Sequence, residues 1–347
     1  MTTRCGMIGL ASRMVWRTVA ASAGAALVAV LVTAGARAEP VADLRAGPTG
    51  KIEFRSLARD KAVIWGDLTL APSGAARMPL MVLVHGSAGR NASREGRYAA
   101  TLGKLGVATF ALDSFGPRGV RRTVGNQRRV SGRTMIGDTF ASLRILATHP
   151  RIDPRRIGVI GFSKGGTAAL ETAAPQFVQH YLGRQDLRFA LHIMFYPWCG
   201  LQFRSIRPTP VPLLMIIGGS DDYTGVAPCR RYIERMQAAG LNARLVVYPG
   251  ALHAFDMEAL RGRLELRSAQ NFRKCHALRD DDLWLIDPRT MRRMASLHEA
   301  RAYFRSCMFR GASVGPDPAA RHKAMAEVTR IVIARLVGGR SDKGATR

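Results

Sequence analysis

From Lys51 onward, short apolar segments alternate with segments of helical periodicity, and this alternation constrains the fold more than any other feature. Several apolar segments are continuous runs, such as LMVLV at 80–84 and LLMIIG at 213–218. Continuous runs are typical of strands buried on both faces of a parallel sheet. We predict strands at 51–57, 62–70, 80–84, 106–112, 156–161, 188–195, 213–218 and 244–248, and helices near 94–105, 133–148, 164–174 and 226–239. The pattern indicates an α/β fold, with a mostly parallel central sheet and helices on both faces.

A G-x-S-x-G motif, Gly161-Phe162-Ser163-Lys164-Gly165, lies between the strand at 156–161 and the helix that follows it. A serine on so sharp a strand-to-helix turn has strained backbone angles and crowded neighbours, which is why glycine is needed two residues before and two residues after it. The turn raises the hydroxyl above the sheet, at the positive end of the next helix. The context predicts that Ser163 is a nucleophile.

A nucleophile at this point predicts an acid and then a histidine further along the chain. The strand at 213–218 runs into Gly219-Ser220-Asp221-Asp222, and the strand at 244–248 is followed by His253. His253 is the expected general base, and Asp221 is expected to orient it. We prefer Asp221 because it comes first after the strand, but Asp222 remains the alternative acid.

The apolar strand at 80–84 enters a glycine-containing loop, His85-Gly86-Ser87-Ala88-Gly89. In this architecture such a loop supplies one backbone N–H to the oxyanion, and the residue after the nucleophile supplies the other. We therefore expect the oxyanion hole to consist of the N–H groups of Ser87 and Lys164. The side chain of Lys164 need not take part, and His85 is expected to shape the loop.

These segments together resemble the dienelactone hydrolase family of the α/β-hydrolase superfamily. The resemblance spans residues 60–256 through LVHGSAG, ALDSFGPRG, HPRIDPRRIGVIGFSKGG, IIGGSDDYTGVAPC and YPGALHAFD. It implies an α/β-hydrolase fold, a triad of Ser163, Asp221 and His253, and attack on ester or lactone carbonyls. The enzymes that gave the family its name carry cysteine where this chain has Ser163, which favours a general serine esterase over an enzyme for dienelactone itself.

Three segments lie outside the strand–helix pattern. Residues 1–38 combine early arginines, a short apolar run and Ala36-Arg37-Ala38, so we expect a signal peptide cleaved after Ala38 and an exported, periplasmic or secreted, protein. An uncleaved membrane anchor is the alternative. Residues 39–347 are expected to form a single domain, with a charged insertion at about 256–315 and a C-terminal helix at about 317–337.

Export changes the interpretation of the cysteines, because cleavage of the leader leaves four. An even number in an oxidising compartment predicts two disulfides. Cys199 and Cys229 both fall at the catalytic edge of the predicted sheet, and Cys275 and Cys307 both lie in the insertion. Four cysteines allow three connectivities, which the sequence leaves open. A Cys199–Cys229 bond would pin the acid-bearing loop and Cys275–Cys307 would then close the insertion, with four unpaired buried thiols as the alternative.

The 347-residue chain carries 52 basic and 25 acidic residues, a formal charge of +27. Such a charge can serve nucleic acid or another polyanion, but the arginines are spread along the whole chain rather than concentrated in one motif. We expect no nucleic-acid partner. Four side chains, Phe115, Arg118, Trp198 and Tyr223, fall on loops expected to rim the pocket. The loop from Arg118 to Arg129 is either a solvated face or a guide for an anionic substrate.

The sequence therefore predicts a serine hydrolase that cleaves small esters or lactones through an acyl-enzyme. It needs no metal or organic cofactor, and no membrane span is expected after cleavage of the leader. A peptidase of the same superfamily is one alternative, since a triad does not distinguish esters from amides. The other is a basic protein that binds anionic polymers. The sequence does not indicate an oligomeric state.

Overall fold

An eight-stranded, mostly parallel β-sheet forms the centre of the structure. The computed structural model describes residues 39–338, so the expected signal peptide at 1–38 lies outside the described residues. The first nine strands in chain order are β1 (Gly50–Arg55), β2 (Val63–Thr69), β3 (Met78–Val84), β4 (Ala108–Asp113), β5 (Ile152–Phe162), β6 (Leu191–Phe195), β7 (Leu201–Phe203), β8 (Leu213–Gly218) and β9 (Ala243–Tyr248). All but β7 belong to the sheet, in the order β1-β2-β4-β3-β5-β6-β8-β9.

The strands predicted from continuous apolar runs form the buried part of this sheet. Every residue of β3, β6 and β8 is buried, and the six strands β4, β3, β5, β6, β8 and β9 pair in parallel in that order. The edge strand β1 pairs antiparallel with β2, and both alternate between buried and more exposed residues, as expected near a sheet edge with one wetter face. The predicted α/β fold is therefore confirmed.

Seven helices accompany the strands in residues 39–338: α1 (Ala92–Lys104), α2 (Gly132–Leu146), α3 (Lys164–Glu171), α4 (Pro175–Leu182), α5 (Val226–Ala238), α6 (Leu297–Cys307) and α7 (Pro318–Val332). Helix α1 packs against α7, and α2 packs against α3 and α4. None of the helices described is long and apolar enough to cross a membrane.

Most boundaries shift by one to three residues from the sequence prediction, and two further differences occur at prolines. One helix was expected at 164–174, but α3 ends at Glu171 and Pro175 begins a separate helix, α4. Proline has no N–H to donate and is favoured at the first position of a helix. Strand β5 begins at Ile152, earlier than expected, because Pro154 falls where its register against β3 is irregular and no ladder hydrogen bond is lost.

The segment expected to be an insertion contains short strands and one helix. Its strands are β10 (Leu264–Glu265), β11 (Gln270–Asn271), β12 (Ala277–Arg279), β13 (Leu285–Ile286), β14 (Phe309–Arg310) and β15 (Ser313–Val314). Strand β12 pairs in parallel with β7, which ties this segment to the region beyond β6. Helix α7 follows and continues as a π-helical turn over Ile333–Val337, close to the expected end at 337.

Candidate active site

Ser163, His253 and Asp221 form one chain of hydrogen bonds at the carboxyl edge of the sheet. They follow β5, β9 and β8 respectively. The Ser163 hydroxyl lies 2.9 Å from His253 Nε2, and His253 Nδ1 lies 2.8 Å from Asp221 Oδ2. The histidine and the aspartate are buried, whereas Ser163 is partly exposed. This is the arrangement in which a serine can pass its proton to a histidine held by a carboxylate.

The turn that carries Ser163 has the strain and crowding expected of a nucleophile elbow. Ser163 has a φ of +54°, a conformation that costs a residue with a side chain on the order of 1–3 kcal/mol. A Cβ on Gly161 would stand 2.1 Å from the carbonyl oxygen of Gly165, and one on Gly165 would stand 2.2 Å from that of Val84. Both flanking glycines are therefore sterically required.

Asp221 is held as a carboxylate by neighbours on its own loop. Its Oδ1 accepts from the N–H groups of Tyr223 and Thr224, both at 2.9 Å, and its Oδ2 accepts from the Thr224 hydroxyl. Burial acts to raise the pKa of Asp221, but the facing His253 and these hydrogen bonds outweigh it and leave the pKa below its usual range.

Asp222, the alternative acid, faces another way. Its carboxylate accepts from the N–H of Ser313 at 2.7 Å and from the Ser313 hydroxyl at 2.8 Å. Asn271 also donates to the Asp222 carbonyl. Asp222 therefore fastens the segment around β11 and β15 to the loop that carries Asp221, and it does not contact His253.

Two tyrosine rings hold His253 from the sides. The ring centroids of Tyr196 and Tyr223 lie 4.6 and 4.9 Å from that of His253. Tyr223, expected on the pocket rim, is thus a neighbour of the base and is only 8% exposed. Sequence reasoning missed Tyr196, although its position directly after β6, on the same sheet edge, was a usable signal.

A buried polar network lies behind Tyr196, and sequence reasoning missed it as well. Asp256 is fully buried and accepts from the Tyr196 hydroxyl at 2.5 Å and from the Tyr98 hydroxyl at 3.2 Å. Arg94 lies 3.4 Å from the Tyr196 hydroxyl and forms a buried ion pair with Glu95. A buried charge must be paired and hydrogen-bonded. This network therefore fixes the ring of Tyr196, which packs on His253.

Ser87 and Lys164, the expected oxyanion residues, lie next to the nucleophile. A Cβ on Gly86, the residue before Ser87, would stand 3.2 Å from the Ser163 Cβ, and Lys164 is the first residue of α3. Within residues 39–338, neither backbone N–H donates a hydrogen bond to the protein. His85 shapes this loop as expected, since its Nδ1 donates to the Gly86 carbonyl and its Nε2 accepts from the Ser114 N–H.

The Lys164 side chain, which need not take part in the expected oxyanion hole, binds the loop that contains Thr123, Gln127 and Val130. Its Nζ donates to the carbonyls of Gln127 and Val130 at 2.7 and 2.5 Å, and lies 3.3 Å from the Thr123 hydroxyl. Burial lowers the pKa of Lys164 to about 7. We call the segment 123–130 the strap.

The remaining rim candidates are placed differently from one another. Phe115 is 1% exposed and packs edge-on against His85 at 4.4 Å. Arg118 is bound by the carboxylates of Asp60 and Asp138 and by the Ser114 carbonyl. The structure thus gives no support to a substrate contact by Phe115 or Arg118. Phe115 is buried in the hydrophobic core, and the charge of Arg118 is neutralised by the two carboxylates. Trp198 is partly exposed, and its indole N–H donates to the Phe272 carbonyl.

The structure contains two disulfides, and of the three connectivities that the sequence left open they have the one that pairs the cysteines near the catalytic edge with each other. Cys199 is joined to Cys229 and Cys275 to Cys307. The first bond links the segment after β6 to α5, which follows the loop that carries Asp221. In the described part of the chain, no group of three His, Cys, Asp or Glu side chains is arranged to hold a metal ion.

Comparison with known proteins identifies relatives of this chain. The model of the dienelactone hydrolase family matches residues 69–280. A curated protein from Bradyrhizobium sp., named a probable 2-oxo-3-(5-oxofuran-2-ylidene)propanoate lactonase, is 26% identical over 165 residues, which are 45% of this chain and 65% of that protein. The matched part thus spans just under two thirds of that relative's length.

Solved structures share the fold at low sequence identity. A thermophilic esterase from Thermogutta terrifontis superposes with a TM-score of 0.51 at 14% identity, covering 87% of this chain and 98% of the esterase. A dienelactone hydrolase-like promiscuous phosphotriesterase from metagenomic libraries gives a TM-score of 0.50 at 14% identity, over 83% and 99% of the two chains. Since the family model matches more than half of its length, this chain belongs to the dienelactone hydrolase family.

Proposed function

We propose that this protein is a serine esterase or lactonase that works through an acyl-enzyme. The observation that carries the proposal is the continuous hydrogen-bonded chain from Ser163 through His253 to Asp221. Membership of the dienelactone hydrolase family favours ester and lactone carbonyls, and the name of the Bradyrhizobium relative adds lactones specifically.

In the first half of the reaction, Ser163 Oγ attacks the substrate carbonyl carbon while its proton moves to His253 Nε2. The developing oxyanion accepts from the N–H groups of Ser87 and Lys164. His253 then gives the proton to the leaving oxygen, which departs as an alcohol or, from a lactone, stays attached to the acyl chain. Asp221 stabilises the imidazolium that exists between these steps.

In the second half, a water molecule attacks the acyl-enzyme carbonyl and passes a proton to His253. The tetrahedral intermediate collapses, Ser163 recovers that proton from His253, and a carboxylic acid leaves. This cycle needs only groups that the chain supplies. Membership of the dienelactone hydrolase family and the name of the lactonase relative favour a small-molecule substrate.

Hydrolysis of p-nitrophenyl acetate and of a simple γ-lactone, with a fluorophosphonate label mapped by mass spectrometry, tests the proposal. We expect wild type to hydrolyse the ester and to carry the label on Ser163. Ser163→Ala should lose both, whereas Ser220→Ala, an exposed serine on the acid-bearing loop, should keep both. Full activity in Ser163→Ala would refute the site.

The same experiment separates the two alternatives. Faster cleavage of a p-nitroanilide peptide than of the matched ester would favour a peptidase. Binding to an anionic polymer that survives Ser163→Ala and falls steeply with salt, without ester hydrolysis, would favour a binding protein.

We also infer that the protein is exported. Its two disulfides are compatible with an oxidising compartment, where such bonds persist. Expression of the full chain, followed by fractionation and N-terminal sequencing, should give a mature protein that begins at Glu39. Recovery of uncleaved protein in the membrane fraction would favour the anchor.

A further inference from the structure

The strap binds the carbonyl and the hydroxyl of Ser87, the two hydrogen-bonding groups of this residue other than its backbone N–H. The Ser87 carbonyl accepts from the Thr123 N–H at 2.7 Å, and the Ser87 hydroxyl donates to Gln127 Oε1 at 3.0 Å. Only the backbone N–H of Ser87 is left without a protein partner among the described residues, and this is the group assigned to the oxyanion. The orientation of that N–H is therefore set by the strap.

Gln127 in turn is fixed from three further directions. Its Nε2 donates to the Tyr223 hydroxyl at 3.3 Å, and its backbone N–H donates to Gln270 Oε1 at 2.8 Å. Its carbonyl accepts from Lys164 Nζ at 2.7 Å. One residue thus joins the Ser87 loop, the loop after Asp221, the segment around β11, and the first turn of α3.

The contact with Lys164 connects the two oxyanion donors. Lys164 supplies the second N–H from its backbone, while its side chain has three strap oxygens, of Thr123, Gln127 and Val130, around Nζ. An ammonium group has three N–H donors, so every one of them can be satisfied by the strap. The strap therefore contacts both of the residues whose backbone N–H groups are assigned to the oxyanion.

We propose that Gln127 is a positioning residue for the oxyanion hole, acting through the Ser87 hydroxyl. This inference rests on the proposed function, because it assigns a role within that reaction. Donors act on an oxyanion only when they lie about 2.7–3.1 Å from it. Because a misplacement of about 1 Å can cost on the order of 100-fold in rate, the bond that fixes Ser87 contributes to turnover rather than to substrate binding.

The test compares Gln127→Met with Gln176→Met. Gln176 is a matched control because its side-chain N–H groups also form two hydrogen bonds, to Asp281 and to the Ser205 carbonyl, away from the triad. With p-nitrophenyl acetate, we expect kcat of Gln127→Met to fall roughly 10- to 100-fold with KM within about 2-fold of wild type. Gln176→Met should keep kcat, and thermal melting reports the structural cost of each change.

A double-mutant cycle shows whether Gln127 acts through Ser87. Ser87→Ala removes the donor of the same hydrogen bond and keeps the backbone N–H. We expect the double variant to lose no more kcat than the more impaired single variant, because both changes remove the same Ser87–Gln127 hydrogen bond. Gln127→Met also removes the bonds of the Gln127 side chain to Tyr223 and Thr123, so it is expected to be the more impaired single variant. Should Gln127→Met fail to fold, Ser87→Ala alone must still lower kcat without raising KM.

The outcomes that overturn the inference are distinct from failure of the proposed function. Folded Gln127→Met and Ser87→Ala with wild-type kcat would refute it while leaving the esterase intact. Losses that multiply in the double variant would show that Gln127 does not act through Ser87. A wild-type protein without ester hydrolysis or label on Ser163 would instead refute the proposed function, and this inference with it.

Discussion

Exchange of Asp221 for asparagine is the sharpest perturbation that the site allows, because the neighbouring Asp222 provides a matched control. Asp221→Asn keeps the shape of the side chain but removes the charge that faces His253 at 2.8 Å. The amide can also turn its NH₂ toward His253 Nδ1, which favours the tautomer that cannot accept the Ser163 proton. Both effects impair the step in which His253 becomes an imidazolium.

The magnitude follows from that distance. Two unit charges 2.8 Å apart, at an effective dielectric constant of about 20, interact with about 6 kcal/mol. Since 1.36 kcal/mol corresponds to tenfold in rate, complete loss of this attraction corresponds to about 10⁴ in kcat. The amide dipole retains part of the interaction, so we expect a fall of roughly 10³- to 10⁴-fold. Because the pKa of Asp221 lies below its usual range, Asp221 of the wild type is a carboxylate at both pH 6 and pH 8, and its own protonation adds no pH dependence between them.

Asp222→Asn removes the same charge one residue further along. Its carboxylate accepts from Ser313 and not from His253, so we expect kcat within about 2-fold of wild type and a stability loss of about 1–2 kcal/mol. The assay is p-nitrophenyl acetate hydrolysis with urea unfolding of both variants. An Asp221→Asn enzyme within 10-fold of wild type, or a larger kcat loss in Asp222→Asn, would refute the assignment of the acid.

Three further predictions concern pH, covalent links and charge. Burial lowers the pKa of His192 to about 4, whereas its ordinary value is 6.5. Below pH 6.5 the unfolded chain therefore binds more protons than the folded chain, and the folded state loses stability as the pH falls. Urea unfolding should show about 3 kcal/mol of stability lost between pH 7 and pH 4, and a smaller loss in His192→Gln. Cys199→Ser opens the bond to Cys229 across 30 residues and should cost about 3–4 kcal/mol in the same measurement. Arg128 and Arg129 are exposed on the strap and form no ion pair within residues 39–338. If they attract an anionic substrate, changing both to glutamate should lower kcat/KM about 3- to 10-fold for a carboxylate-bearing ester at low salt. The same change should leave kcat/KM for neutral p-nitrophenyl acetate unaltered. Equal effects on both esters would exclude steering of an anionic substrate by these two arginines.

The fold was predictable because local signals and global architecture agree. Continuous apolar runs such as those of β3 and β8 are typical of strands in the middle of a parallel sheet, and glycines and prolines separate them from the helices. The sheet then fixes the positions of the side chains that follow its strands. Ser163, Asp221 and His253 come together because the carboxyl ends of parallel strands share one edge.

The rest of the site depends on contacts between loops, and no periodicity encodes those. The strap lies in the segment 114–132, whose many glycines and arginines predict a loop, yet nothing in that sequence shows that Gln127 reaches Ser87 and Tyr223. Arg118 stands in the same loop as an obvious anion-binding candidate, but it is neutralised by Asp60 and Asp138, which are far from it in sequence.

The choice between Asp221 and Asp222 illustrates the same limit on a smaller scale. Adjacent side chains in a loop project in different directions, and the partners that select one of them come from elsewhere in the chain. Ser313, 91 residues away, binds Asp222, while Thr224 and His253 bind Asp221. Strand ends therefore determine which loops meet at the candidate site. Hydrogen bonds from distant segments then determine which residue of each loop faces His253.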